Sequence, residues 1–478
     1  MEIIHQINDI LWTYLMVGLL LGAALYFTIY TKGVQFRMIP QMIKLLFKSS
    51  KKHENPDDPI DKKKTISSFQ AFAVSLASRV GTGNIAGVAI AIAIGGAGAV
   101  FWMWVVAIIG SANAFIESTL AQLFKTRGPH SFRGGPAYYI QKGLHKRWWA
   151  VLFAILITVT FGLSFNSVQS NTIVSAFSST FGVSNVWLGI ITTALTLVVI
   201  CGGIQRISKV SEIIVPVMAG LYILLALYII IANISYFPHI MSLIVKNAFG
   251  LDQAVGGGMG MALVLGVKRG LFSNEAGEGS SPNAAATAAV SHPVKQGLVQ
   301  TLGVYTDTLL VCTATAFIIL CSGVFDCGLT GIALTQKALE VKTGSFATWF
   351  LTIAIYLFAF TSIIANYYYG ETNLNFIHKN KYIIYGFRIL VGATVMLGAL
   401  SSLELVWAIS DITMGLMTLC NIAAILLLGK YAVKCLKDYR KQLKEGKDPQ
   451  FTCKIIPEIE NETKECWPDP GTSEANEL

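Results

Sequence analysis

Apolar residues gather along this chain in runs far longer than a globular core requires, separated by short polar clusters. Eleven of these runs approach or exceed the roughly 20 residues that cross a bilayer as helix, the conformation in which backbone groups find partners within the segment. They cover about 8–31, 69–94, 98–124, 148–176, 185–203, 211–233, 252–290, 298–322, 347–376, 382–400 and 404–429. None shows the dyad alternation of a membrane barrel strand. The pattern predicts an all-α membrane protein with eleven transmembrane helices.

Composition agrees, because 54% hydrophobic and 13% charged residues with a mean hydropathy of +0.59 are too apolar for a soluble chain of 478 residues. A net charge of +9 raises nucleic-acid binding as an alternative, and the placement of the charges removes it. Most of the 36 Lys and Arg residues fall in the connections after the first, third, fifth, seventh and ninth runs and in the tail. The opposite connections hold only Lys246, Lys337 and Lys342. The positive-inside rule then puts the chain in the plasma (inner) membrane with its N-terminus outside and its C-terminus cytoplasmic. Met1 to Asp9 is weakly acidic and the first run is long enough to span, so that run is expected to stay rather than be cleaved as a signal peptide. The eight cysteines show no CxxC pair and no His/Cys metal spacing, which indicates neither zinc nor a redox centre. Cys321 and Cys327 either meet on the outer side or, like the rest, pack as free thiols.

The segment from Lys32 to Ser68 contains KSSKKHENPDDPIDKKK, too polar to cross a membrane. It reads as a cytoplasmic connector, either a plain solvated loop or a patch for anionic headgroups. Removing the first run leaves ten, divisible into two sets of five, and a Gly-interrupted run opens each set. Such a pair marks a transporter of inverted repeats with a site at the bilayer midplane. The expected division is an extra N-terminal helix and connector at 1–68, a first repeat at 69–235, a second at 236–430 and a cytoplasmic tail at 431–478.

The first interruption places Gly81, Thr82, Gly83 and Asn84 in the middle of an apolar run. Unwinding there frees backbone groups at membrane depth, tolerable only where protein or a polar cavity receives them. The half-helix restarting near Asn84 offers N–H donors to a carboxylate, and the carbonyls before it suit a cation. Close helix packing through small residues is the alternative. GTGNIAG also looks like a dinucleotide loop, but Phe101 to Trp104 occupy the stretch where that fingerprint needs an acid. The second interruption, GGGMGMALVLGVKRGLFSNEAGEGSSPNAAATAAV, carries Lys268, Arg269, Glu275 and Glu278. Charges in a span face a cavity or one another, so these four form either an Arg/Glu network at the cytoplasmic mouth or direct ligand contacts. Substrate contact is placed on Phe272, Ser273 and Asn274.

At these residues, and through GGAGAVFWMW, GGPAYYI, FSNEAGEGSSPNAAATA, QTLGVYTDTLLVCTATAFIIL and NYYYGETN, the chain resembles the alanine or glycine:cation symporter family over nearly its whole length. The resemblance implies a leucine-transporter-type 5+5 inverted repeat preceded by one extra helix. It also implies sodium as the coupling ion, held by the carbonyls of Ala77, Val80 and Phe358 and the hydroxyls of Thr361 and Ser362. All five are hard oxygen ligands. The hydroxyls have an alternative, back-bonding to carbonyls of their own helix. The N–H groups of Thr82 and Gly83 would take the substrate carboxylate with Asn84 nearby, and Gln169 would meet the amino group or else bridge two helices. One departure stands out: Asn366 replaces the Trp that alanine carriers of the family commonly show before YYGE, which leaves a longer substrate such as glutamine open.

The implied activity is sodium-coupled symport of a small neutral amino acid, alanine or glycine, by alternating access. Its partners are that amino acid, Na+ and membrane lipid, with no nucleic acid and no obligate protein partner. A membrane enzyme would need a converging nucleophile and base or a metal cluster, and neither HExxH nor GxSxG occurs. A cation channel would need a filter repeated around a pore, a pattern missing here.

Overall fold

The computed structural model describes residues 1–48, 66–128, 131–251 and 258–469. Among the described residues, eight helices are long and apolar enough to cross a membrane. They are α1 (Glu2–Tyr30), α4 (Gly98–Leu123), α5 (Arg147–Phe181), α7 (Gly203–Ala232), α9 (Pro293–Ser322), α10 (Ser345–Ile377), α11 (Lys381–Leu400) and α12 (Leu403–Lys444). A ninth crossing is the pair α2 (Ser68–Arg79) and α3 (Gly83–Gly95), bent by 46°. Two further helices, α6 (Asn185–Ile200) and α8 (Met259–Asn274), are 16 residues long. At 1.5 Å per residue each spans about 24 Å, short of a full hydrocarbon core when upright.

The helices sort into two groups. In one, α4 packs against α8 and α9, and α3 lies against α8. In the other, α5 packs against α10 and α11, with α6 on α11. The groups meet where α2 touches α10, and α7 covers both of these helices. The N-terminal helix lies along α4 and α12, with Asn8 donating to the Ala408 carbonyl and Trp12 Nε1 to that of Asp411.

Two ends of the reading shift. The last helix runs to Lys444 rather than stopping at 429, because Tyr431, Ala432, Val433, Cys435, Leu436 and Tyr439 keep a buried face after mean hydropathy has fallen. The tail then folds back: Phe451 donates its N–H to the Ser291 carbonyl and buried Trp467 donates to that of Gln122. Lys295–Asp448, Lys434–Glu458 and Lys142–Glu465 pairs fasten it to the end where the basic connections gather. Residues 49–65, the Gly-rich start of the second interruption at 252–257 and the acidic end GTSEANEL lie outside the described residues. Among the described residues all eight cysteines are free, Cys321 and Cys327 included.

Candidate functional site

The capping box of Ser67 and Gln70 starts α2, and the helix runs on to Arg79, where Val80 leaves the helical region at φ −80°, ψ 87°. The helix restarts at Gly83 in a π-helical turn. Gly81 sits at the break because nothing larger fits: a Cβ there would lie 2.4 Å from Ser362 Oγ and 2.9 Å from Gln169 Oε1. Two side chains from the other helix group, on α10 and α5, therefore press directly on the unwound backbone.

Four of the five expected sodium ligands meet through Ser362. Its hydroxyl donates to the Ala77 carbonyl at 2.8 Å and to the Phe358 carbonyl at 3.0 Å, while Thr361 donates to the same Phe358 carbonyl at 2.9 Å. All five residues, Val80 among them, are fully buried. Thr361 and Ser362 thus back-bond within α10, and Ser362 also reaches across to α2. The converging atoms are neutral hard oxygens, a set that fits Na+.

The expected substrate residues lie on the other side of the same break. Thr82 N–H donates to Gln169 Oε1 at 3.1 Å, so that donor is engaged by a side chain, and Gly81 N–H donates to Asn84 Oδ1 at 3.0 Å. The Asn84 amide continues to Asp307 Oδ1 at 2.6 Å, and Ser273 donates to Asp307 Oδ2 at 2.8 Å. Phe272 covers Gly83, where a Cβ would come within 2.9 Å of its ring, and it packs between the tilted rings of Phe165 and Trp407. Asn274 turns back to accept from Ala276 N–H, and Asn366 accepts from Ser78. Among the described residues, Thr82 Oγ1, Asn274 Nδ2, Asn366 Nδ2 and Trp407 Nε1 are buried without partners, as are polar atoms elsewhere in the bundle. Native interiors seldom leave such groups unpaired, so these four are open to a polar ligand. Gly83, Phe165 and Asp307 all lie in π-helical turns, a distortion that recurs at functional sites.

The charges of the second interruption separate instead of forming one Arg/Glu network. Lys268 and Arg269 both pair with Asp411, at 2.8 and 2.6 Å, and Arg269 lies over the Trp407 ring. Helix α8 ends at Asn274, and Glu275 turns left-handed at φ 57°, which carries Glu275 and Glu278 away from that pair. Beyond the turn Glu117 of α4 receives the freed backbone, accepting from Gly277 N–H at 3.1 Å and Gly279 N–H at 3.0 Å as well as from Asn421. Both glycines have positive φ, 98° and 85°, and this aims their N–H groups at one carboxylate.

Asp307 and Trp407 are site residues that the sequence reading did not assign. Asp307 had a visible mark, a lone acid in an apolar run. Trp407 had none, being one aromatic among many.

A family model described as the sodium:alanine symporter family matches residues 1–453. The probable sodium/glutamine symporter GlnT of Bacillus subtilis (strain 168) is 52% identical over 98% of this chain and 97% of its own length. The amino-acid carrier protein AlsT of the same organism is 52% identical over 98% of each. Among solved structures, MhsT in complex with L-phenylalanine matches with a TM-score of 0.56 at 14% identity, over 78% of this chain and 96% of that one. That last likeness concerns the fold alone.

Proposed function

This chain belongs to the sodium:alanine symporter family, and on that premise we propose that it is a secondary active transporter carrying a small neutral amino acid, alanine or glycine, together with Na+ by alternating access. It is a carrier and not an enzyme. The observation that carries the reading is Ser362, which joins the carbonyl before the break in one helix group to the hydroxyl-bearing helix of the other. An ion held between Ala77, Val80, Phe358, Thr361 and Ser362 ties the two groups together, so its presence selects one arrangement of the break. The amino-acid carboxylate takes the place of Gln169 Oε1 at the Thr82 N–H, and the released Gln169 amide turns to the substrate. Coupling follows because each ligand raises the affinity for the other by the same factor.

The wider architecture is eleven crossings in a 5+5 inverted repeat after one extra helix. Its support is the packing: α2/α3 and α4 open the first set of five, α8 and α9 the second, and these four crossings form one group. The third and fourth of each set, α5 and α6 with α10 and α11, form the other. The divisions at 1–68, 69–235, 236–430 and 431–478 follow this scheme. The end that gathers Lys142, Lys295 and Lys434 is cytoplasmic.

A second substrate reading, a larger neutral amino acid such as glutamine, is favoured by Asn366, whose buried Nδ2 has no partner among the described residues. It is also favoured by the relative named a sodium/glutamine symporter. Uptake of labelled alanine into proteoliposomes, with glycine, serine and glutamine as competitors, separates the two. Replacing sodium by choline stops uptake, and the double variant Thr361→Ala, Ser362→Ala loses sodium stimulation while inserting normally. Stimulation that survives in the double variant refutes the ion assignment.

A further inference from the structure

Glu278 stands outside the sodium and amino-acid contacts described above. It is fully buried, and among the described residues neither carboxyl oxygen has a hydrogen-bond partner. Neighbouring acids are treated otherwise. Glu275 accepts from Ser78 and Ser280, Asp307 from Asn84, Ser273 and Thr308, and Glu117 from two backbone N–H groups and Asn421. The charged groups facing Glu278 are Glu275 on its own stretch, Glu117 of α4 and Arg79 of α2. Tyr139 stands behind Glu117 and donates its hydroxyl to Asn421. Arg79 does not close on Glu278: its Nη1 donates to Gln300, and its Nε and Nη2 have no partner among the described residues. A carboxylate stripped of water and donors beside two other carboxyl groups is the state that burial disfavours most, whereas the neutral acid loses far less on desolvation.

The stretch leads toward the end with the basic connections. Gly279 packs against Pro136 and Asn421, Ala288 bridges to Ile66, and Ser291 holds the folded-back tail. Resting on the carrier reading, we propose that Glu278 is a proton-binding site: a carboxylic acid while this end of the bundle is shut, and a carboxylate once the end opens to water. In the step the Glu278 O–H bond breaks and the proton passes to an entering water, leaving a carboxylate and a hydronium ion. The closed form binds the proton more tightly, so by linkage acid on this side favours closure. Low cytoplasmic pH slows turnover, and high pH releases it.

Infrared spectra of the purified full-length chain test the proton itself. A protonated-carboxyl band at neutral pH is present in the wild type, absent in Glu278→Gln and shifted in Glu278→Asp. A band unchanged in both variants overturns the proposal whatever amino acid the protein carries. Transport gives the second arm, in right-side-out membrane vesicles with the lumen pH fixed. Sodium-driven alanine uptake rises with lumen pH by up to about tenfold per unit, the limit for one proton. Glu278→Gln turns over at the acid-limited rate at every pH, and a variant that keeps the wild-type profile overturns the proposal. Failure of the wild type to take up alanine or glutamine would sink the substrate reading and leave the infrared test standing. Should Glu278→Gln not fold, the shifted band of Glu278→Asp decides.

Discussion

The two breaks in this molecule solve one problem in opposite ways. Both expose backbone groups deep inside the protein, where each must find a partner. At the α2/α3 break the partners are neutral: Gln169 takes the Thr82 N–H, Asn84 the Gly81 N–H, and Ser362 donates to the Ala77 carbonyl. After α8 the partner is a carboxyl side chain, Glu117, which gathers two glycine N–H groups at once. A neutral amide or hydroxyl leaves an N–H or carbonyl at little energetic cost once a carboxylate or cation arrives. A carboxyl group holding three donors does not. The difference assigns exchange of ligands to the first break and fixed geometry to the second, and three substitutions test that division.

The largest effect is expected at Gly81. A methyl group there meets Ser362 Oγ and Gln169 together, pushing α10 and α5 off the break. Misplacing a binding group by about 1 Å costs on the order of a hundredfold in rate. Gly81→Ala is therefore expected to lower sodium-driven uptake at least that far while thermal unfolding in detergent shifts little. Uptake within a few-fold of wild type would mean that the first break is not the exchanging one.

Glu117→Gln comes next and probes the opposite quality. The amide keeps one acceptor but turns an NH2 toward a backbone N–H, leaving a buried donor opposed by a donor. Leaving a buried backbone donor unsatisfied costs about 1–3 kcal/mol. The unfolding temperature of the purified protein falls accordingly, and the affinity for sodium does not change. A change in sodium affinity without loss of stability would reverse the roles given to the two breaks.

The same contrast explains what the sequence disclosed. The first break was legible because its residues are contiguous: glycines, Thr82 and Asn84 in one apolar run announce unwound, polar backbone without reference to any other part of the chain. The second was legible only as charge. That Lys268 and Arg269 go to Asp411 while Glu117 serves Gly277 and Gly279 depends on contacts 142 and 160 residues apart in sequence, and no local pattern encodes them. The runs at 185–203 and 252–290 hold helices of only 16 residues, whereas nine crossings among the described residues followed apolar run length, as hydrophobic thickness requires. Helix ends did not, because beyond 429 the buried face of α12 persists on protein contacts after the lipid-facing residues stop.

Asn366 gives the smallest effect and the finest cut. It lies on α10 near the first break, yet its oxygen shares the single Ser78 hydroxyl proton with Glu275 beyond the second. Among the described residues its Nδ2 has no partner and is open to a substrate amide. Filling the position with the indole of Asn366→Trp removes that donor and the space around it. Losing one neutral hydrogen bond is worth about 1 kcal/mol, so competition by glutamine against labelled alanine should weaken by about fivefold, with alanine affinity held within twofold. Equal weakening for both amino acids would place Asn366 in the bridge between the breaks rather than in the pocket, because a bridge that positions Ser78 and Glu275 serves every substrate alike. Weakening confined to glutamine would place it in the pocket, and the neutral break would then hold the selectivity as well as the ion.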